Sequence, residues 1–482
     1  MTGQQIPLVL QAIEALHTGQ RRYAASILKQ ELGAAPAGSA LWPSVSRLAA
    51  EIGEIEIAIE AARRAASSGA LNSLLSYFAT LATYGRSEDA LAEIAALPTE
   101  TQKQPSVLHF LATIAGEQGQ FAEAHRLFRQ ALSRAPDAQQ IWFGLAMIKT
   151  FEMVDGDRDA MEALLKRVRP ADSDTQARLL YALGKAWGDI GEVDRAFSYF
   201  IRGAAMKKRL EPYNADGPAQ FVERAIRDFN PENMAKLMPS DGPSQRSLFV
   251  TGLPRSGTTL VQQILTAHSA VGNGAEVNLA RPALLPTVDF TLAGALAHQA
   301  RASGRNPWGE IAADYRELID VRFRSAGLVV DKSLNQSMLM GLLLHSIPEA
   351  RVVWLRRHPE DTALSCFRTF FTSLPWSWSL TDIAKHFRYE DRLFEHWLSL
   401  FPDRIFVLEY ECLTQDPRKW IPAILGHFGL NEEQDIYDFH RRQANVQTAS
   451  LLQVRSPLSS ARVGAAQAYS RHLEVFRRAY YD

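Results

Sequence analysis

The chain has 482 residues, 46% of them hydrophobic, with 52 Lys and Arg against 53 Asp and Glu and a formal net charge of -1. That length calls for two or more domains, each with its own core. The balanced charge excludes a global field for nucleic acid or an anionic membrane, and two cysteines, Cys366 and Cys412, exclude a disulfide framework.

The N-terminus, Met1 to Leu16, lacks a basic segment followed by a long apolar run. No apolar segment reaches the about 18 residues of a membrane span. A soluble, cytoplasmic protein is therefore expected.

Residues 1–206 carry a repeat. Alanine recurs at Ala24, Ala58, Ala90, Ala124, Ala160 and Ala196, close to a period of about 34 residues. Five positions before most of them stands a glycine: Gly19, Gly53, Gly85, Gly119 and Gly191. Four positions after come Leu28, Ile94, Phe128, Leu164 and Phe200, with Ala62 the exception, and Pro36 and Pro136 end two of the second helices. Small residues let two helices pack closely, and larger ones fill the seam between units. This matches the tetratricopeptide pattern and predicts an all-α superhelix of helix pairs. The unit at Ala160 is degraded, because Asp155 stands where glycine is expected and Gly156 is one place late. A concave repeat face suits recruitment of a polypeptide acceptor or self-association into a homo-oligomer, and equally a scaffold with no ligand.

Residues 207–245 are punctuated by Glu211-Pro212, Asp216-Gly217-Pro218, Asn230-Pro231 and Asp241-Gly242-Pro243. Short helices are expected from Phe221 to Phe229 and from Pro231 to Leu237. The segment reads as a structured helical connector.

Residues 246–482 open on the stretch that organises the rest. Apolar residues run from Leu248 to Val250 as a buried strand, a turn holds Gly252 and Gly257, and Leu260, Val261, Ile264 and Leu265 follow at helical spacing. Strand, glycine loop and helix make an anion site, since backbone N–H groups and the helix dipole point at the loop. The spacing is that of a phosphate-binding loop, yet Thr258 occupies the place of the lysine that reaches a nucleoside triphosphate. Arg255 stands inside the loop, with Ser256, Thr258 and Thr259 as hydroxyl donors. A guanidinium fork with hydroxyls suits a terminal phosphate or phosphosulfate.

Three further strands are predicted at Leu328 to Asp331, Arg351 to Leu355 and Ile405 to Glu409, separated by helices from Ser333 to Ile347, Pro359 to Phe371 and Thr381 to Leu400. Short apolar strands alternating with helices imply an α/β domain, a central parallel sheet with helices on both faces. Ligands of such folds lie beyond the carboxyl ends of the strands. There the sequence places Lys332, then Arg357 with Ser365, and then Tyr410-Glu411. Cys366 falls on a helix and Cys412 in a loop, neither with a role. Glu360 and Asp361 read as first-turn helix charges. Trp376-Ser377-Trp378 sits between helices, either as acceptor-stacking aromatics or as hinge packing. No His, Cys, Asp or Glu cluster has metal-ligand spacing, so no metal is expected.

Pro254-Arg255-Ser256-Gly257-Thr258-Thr259, with these downstream segments, resembles the nucleotide-sulfate loop of sulfotransferases, most of all the tyrosylprotein sulfotransferase branch and its bacterial relatives that carry tetratricopeptide repeats. The resemblance covers the second half of the chain. It implies 3′-phosphoadenosine 5′-phosphosulfate (PAPS) as donor, with Arg255, Ser256, Gly257, Thr258 and Thr259 on the 5′-phosphosulfate and Arg357 and Ser365 on the 3′-phosphate. Glu276 looks like the branch's catalytic base and Lys332 like its leaving-group lysine. Ser450, Gln453, Val454 and Arg455 lie in a segment similar to the loop that closes over the nucleotide, with Ser450 donating to the leaving phosphate. The chain departs from the pattern at His358, in place of an acidic residue, at Asn278, in place of an arginine, and after Pro457, where a tryptophan is missing. The acceptor is left open among protein tyrosine, a saccharide and a small phenol. Two rivals stand beside this reading. A kinase-type phosphoryl transferase is opposed by the missing loop lysine, and a non-enzymatic repeat scaffold is opposed by intact Arg255, Glu276, Lys332 and Arg357.

Overall fold

A computed structural model describes residues 8–34, 39–169, 173–272, 274, 276–302, 304–324, 327–442, 455 and 457–482. Pro36, Ser450, Gln453 and Val454 lie outside the described residues.

The N-terminal part is helical throughout its described residues. Six helix pairs follow one another: Leu8–His17 with Arg21–Ala34, Trp42–Glu51 with Ile55–Ala66, Leu71–Thr83 with Ser87–Ala95, Pro105–Glu117 with Phe121–Arg134, Gln139–Ile148 with Gly156–Arg167, and Asp174–Asp189 with Val193–Leu210. The recurring alanines all fall in second helices. Ala24, Ala58, Ala90, Ala124 and Ala196 are fully buried, while Ala160 of the degraded unit is only half-buried. That unit turns by another device: the Asp155 carboxylate caps its second helix, accepting from the N–H groups of Asp157 and Arg158. The connecting segment forms helices Asp216–Asp228 and Pro231–Met234. Its Val222, Ala225 and Phe229 join the core on one face of the sheet.

The C-terminal part is built on five parallel strands, β1 (Ser247–Gly252), β2 (Val271–Gly272), β3 (Leu328–Asp331), β4 (Val352–Arg356) and β5 (Ile405–Glu409), in the order β2-β3-β1-β4-β5. The four predicted strands are present. The two-residue edge strand β2 is too short to leave a sequence pattern. Side chains alternate between two cores as the pleat requires. Phe249, Val352 and Trp354 face one set of helices, and Leu248, Val250, Val353 and Leu355 face the other. The chain leaves β1 toward β2 and β3 on one side and returns to β4 on the other, so the switch point lies between the ends of β1 and β4.

Several predicted boundaries move. The helix expected from Ser333 begins as a 3-10 turn at Gln336–Leu339 and becomes α-helical at Met340–Ser346. The preceding residues instead hydrogen-bond around Asp331. The helix expected to reach Phe371 stops at Phe367. Cys412 lies in helix Tyr410–Gln415 and not in a loop. Trp376 and Trp378 are buried, Trp376 stacking on His386 and Trp378 meeting Tyr181 of the last repeat edge-on. Hinge packing is the alternative the structure shows.

The repeats wrap the sheet domain. At the far end, Tyr181, Phe197 and Phe200 share one core with Phe367, Trp378 and Phe387. At the near end, Arg21 forks onto Asp314 and also reaches Glu54 at 2.8 Å, with Arg21 and Asp314 each 4% exposed. Between them the turn at Gly19 abuts the backbone of Leu285 and Pro286, and the turn at Gly53 abuts Leu279 and Leu318.

One buried carboxyl yields a pH prediction. Glu390, in helix Leu380–Leu400, accepts from the Ser337 hydroxyl at 2.9 Å, and burial pushes it up from 4.5 to about 7. A carboxyl held above its unfolded value favours folding fully below that value and loses the contribution as pH rises through the folded one. The stability of wild type relative to Glu390→Gln should therefore fall from pH 4.5 to about 7. His386, 3.9 Å away and pushed down to about 3 by burial, titrates in the opposite sense, so the difference between the two proteins is the readout. A pH-independent difference in Tm would contradict the burial.

Candidate active site

The loop after β1 is set by backbone conformation. Arg255 sits in the left-handed region at φ 70, a cost of about 1–2 kcal/mol for a residue with a β-carbon. Gly257 has φ 109, and a β-carbon there would lie 2.6 Å from the Tyr410 ring. Only glycine fits between the loop and Tyr410. Thr258 and Thr259, both buried, open helix Thr258–Thr266.

The residues predicted for the two ends of the nucleotide stand together. Arg255 Nε donates to Ser365 Oγ at 3.0 Å, and Arg357 donates to the Arg255 carbonyl at 3.2 Å. The Arg357 guanidinium lies 4.7 Å above the Tyr410 ring centre and donates to the Arg462 carbonyl at 2.8 Å. Burial pushes the Arg255 guanidinium down to about 10, and the charges of Arg462, Arg357 and Arg368 push the same way against an opposing contribution from Cys366. Arg462 is lowered too, first by burial and also by Arg368 and Arg357. Four guanidiniums thus share one corner of the molecule at the β1/β4 switch point, an arrangement that favours an anion. Two buried polar atoms there, Ser256 Oγ and Arg357 Nε, have no hydrogen-bond partner among the described residues.

Arg368 has no place in the sequence reading, and Asp361 appears there only as a first-turn helix charge. Asp361 does stand in the first turn of helix Pro359–Phe367, but it is buried. It is 2% exposed, lies 3.7 Å from Arg357, and accepts from the N–H groups of Gly464 and Ala466, both at 2.7 Å. It pins the C-terminal segment over the arginine cluster. Glu411 accepts from the His358 N–H at 3.0 Å.

The second group forms where β2 and β3 end. Lys332 Nζ lies 2.9 Å from Glu276 Oε1, with the lysine side chain 4% and the glutamate 38% exposed. Asp331 organises this rim. Fully buried, it accepts from the hydroxyls of Tyr315 and Ser333, the Ser333 N–H and the Gln336 amide. Burial pushes its carboxyl up, opposed by these hydrogen bonds. Ser333 Oγ in turn accepts from the Asn278 N–H at 2.6 Å, which ties the Glu276 segment to β3. Neighbouring parallel strands are about 4.8 Å apart, so the ends of β3, β1 and β4 carry Lys332, the 253–257 loop and Arg357 along one rim.

Arg455 turns to the repeats. Its guanidinium donates to the Glu117 carbonyl at 2.7 Å and lies against Gly119. No helix among the described residues is long and apolar enough to cross a membrane.

Comparison with known proteins gives two family matches. Residues 247–434 match the model of a sulfotransferase family, and residues 49–213 match a tetratricopeptide-repeat model. An uncharacterised protein of Aquifex aeolicus is 28% identical over 384 residues, 76% of this chain, and the match spans 48% of that relative's length. Among solved structures, the sulfotransferase domain of the Synechococcus olefin synthase aligns with 48% of this chain and 90% of its own at 19% identity and a TM-score of 0.34. A sulfotransferase from Mycobacterium avium aligns with 68% of this chain and 98% of its own at 17% identity and a TM-score of 0.29.

Proposed function

We propose that this chain, which joins a tetratricopeptide-repeat region to a sulfotransferase-family domain, transfers a sulfonate group from PAPS to an acceptor hydroxyl, with division near residues 206 and 245. The observation that carries the reading is the cluster of Arg255, Arg357, Arg368 and Arg462, together with buried Ser256 Oγ and Arg357 Nε, which have no hydrogen-bond partner among the described residues. A nucleotide with phosphate groups at both its 3′ and 5′ ends offers acceptors to those two atoms and negative charge to the guanidiniums.

In this reading Arg255, Ser256, Gly257, Thr258 and Thr259 hold the phosphosulfate, and Arg357 and Ser365 hold the 3′-phosphate. Tyr410 supports Arg357 from below, and Gln453 and Val454 border the nucleotide, while Arg455 anchors the same segment to the repeats through the Glu117 carbonyl. The donor supplies an activated sulfonate: its sulfur–oxygen bond to phosphate breaks as a bond from sulfur to the acceptor oxygen forms. Glu276 takes the acceptor proton. Lys332 and Ser450 stabilise the charge that builds on the phosphate oxygen. No metal enters the scheme. Protein tyrosine and a saccharide are both suitable acceptors chemically, and the protein acts in the cytoplasm, where the donor is made.

Calorimetry with adenosine 3′,5′-bisphosphate tests the donor site. A charge-assisted hydrogen bond contributes about 1.5–3 kcal/mol, so Arg357→Ala should weaken binding roughly 10- to 100-fold. Absence of bisphosphate binding in the wild type, or magnesium-dependent ATP turnover in its place, would overturn the assignment.

A further inference from the structure

Three cavities of the molecule share walls. The largest, about 1620 Å³, lies between the first repeats and the sheet domain and is bordered by Glu276, Asn278 and Ser333. A second, about 630 Å³, is bordered by Glu276 and Asn278 from the other side and by His109 and Thr113 of the fourth repeat. A third, about 490 Å³, runs over the inner face of the second and third repeats. Ala50 lines all three, Arg47 lines the first and third, and Thr83 and Tyr84 line the second and third. The cavities are therefore one groove, with Glu276 in its wall.

The repeat residues in this groove are exposed at helical spacing. Pro43, Arg47 and Ala50 form one stripe, and Asn72, Ser76, Ala79 and Thr83 form the next. Apart from Arg47, both stripes are poor in bulk, so another backbone can approach closely. Arg47 makes no ion pair among the described residues. The largest cavity, which Glu276 also lines, holds three large aliphatic side chains exposed to solvent: Leu10 at 53%, Leu41 at 39% and Val288 at 44% exposure. Exposed aliphatic groups inside a concavity mark a binding surface. They suit the side chains of a polypeptide better than sugar rings, which stack on aromatic faces.

The groove also has a length. It crosses the first helices of four successive repeats, whose axes pack about 8–10 Å apart. Three such steps cover roughly 25–30 Å, or about eight or nine extended residues.

We infer that the inner face of the first four repeats is the acceptor-binding wall of the active site, and that the acceptor is an extended polypeptide segment with its hydroxyl delivered to Glu276. This rests on the transfer reading above and goes further, since it makes the repeats part of the site in the same chain. Arg322 joins the two parts mechanically: it donates to the Val277 carbonyl beside Glu276 at 2.7 Å and lies over the Tyr84 ring of the third repeat at 5.6 Å.

The test uses the full chain, labelled PAPS and three acceptor probes: a pool of unstructured dodecapeptides with one central Tyr, Ser or Thr, 2-naphthol, and an unsulfated oligosaccharide. The peptides are expected to show at least tenfold higher kcat/KM than either other probe. Ala50→Trp places an indole where the three cavities meet, and it should lower kcat/KM for the peptides at least tenfold, mainly through KM. Its affinity for adenosine 3′,5′-bisphosphate should equal that of wild type. Ala79→Arg, one repeat further along, should do the same and covers the case in which the first variant fails to fold. Label passing to the oligosaccharide or the naphthol in preference to peptides, or wild-type peptide kinetics in both variants, would overturn the inference. Loss of bisphosphate binding in the wild type would instead remove the transfer reading first.

Discussion

Glu276→Gln is expected to lower turnover about 10²- to 10⁴-fold, the range for loss of a positioned general base, while affinity for adenosine 3′,5′-bisphosphate stays within about twofold. Glutamine keeps the side-chain shape and an acceptor oxygen for Lys332, so the ammonium keeps a neighbour. What disappears is the capacity to take a proton. The rival role for Glu276 is anchorage of Lys332 alone. That pair is partly exposed on the glutamate side, and pairs of this kind contribute about 0–1 kcal/mol, no more than about a fivefold effect. The two roles are thus separated by magnitude. Single-turnover transfer of label gives the rate, and calorimetry gives the donor affinity. A variant that turns over within about fivefold of wild type would assign Glu276 to anchorage.

The second large effect is on the docking of the first repeat. Asp314→Ala should destabilise the earliest unfolding transition by about 3 kcal/mol, because it leaves the buried Arg21 guanidinium short of its main counter-charge. The lower end of the usual range of about 3–5 kcal/mol is expected, since Glu54 and the Ile52 carbonyl still accept from Arg21. Replacing both partners, Arg21→Met with Asp314→Leu, should be close to neutral, because the apolar pair bears no desolvation penalty. The chain has more than one core, so a single two-state fit is inappropriate, and the first transition in a urea series followed by a probe in the first repeat is the proper measure. A shift under about 1 kcal/mol in Asp314→Ala would mean that water reaches the pair.

What the sequence made legible was local. Ala24, Ala58 and Ala124 revealed the repeat because close helix packing demands a small residue at one position per unit. Gly252 through Thr259 revealed the strand–loop–helix junction because turn, hydroxyls and helix start lie within eight consecutive residues. Lys332 and Arg357 stand out by their places after strand ends and Glu276 only by resemblance to a catalytic base, and their roles still await the experiments above. What escaped notice depends on long-range contact. Asp361 looks like any helix-start acid until the chain returns 103 residues later to place the Gly464 N–H on it. Arg368 carries no spacing signal and gains meaning only beside Arg255 and Arg462. The organising role of Asp331 is invisible without Tyr315, which comes from the helix before β3. Arg455 was assigned to the nucleotide because its neighbours resemble a closing loop, whereas its guanidinium reaches the carbonyl of Glu117 in the repeats.

The turns at Gly19 and Gly53 seat on fixed points of the sheet domain, Leu285 with Pro286 and Leu279 with Leu318. Open solenoids tolerate gain or loss of whole units, since each touches only its neighbours. Here a duplicated unit would displace everything ahead of it by about one helix spacing, roughly 10 Å, and carry Arg21 out of reach of Asp314. These contacts therefore tie the spacing of the first two units to the dimensions of the sheet domain they embrace.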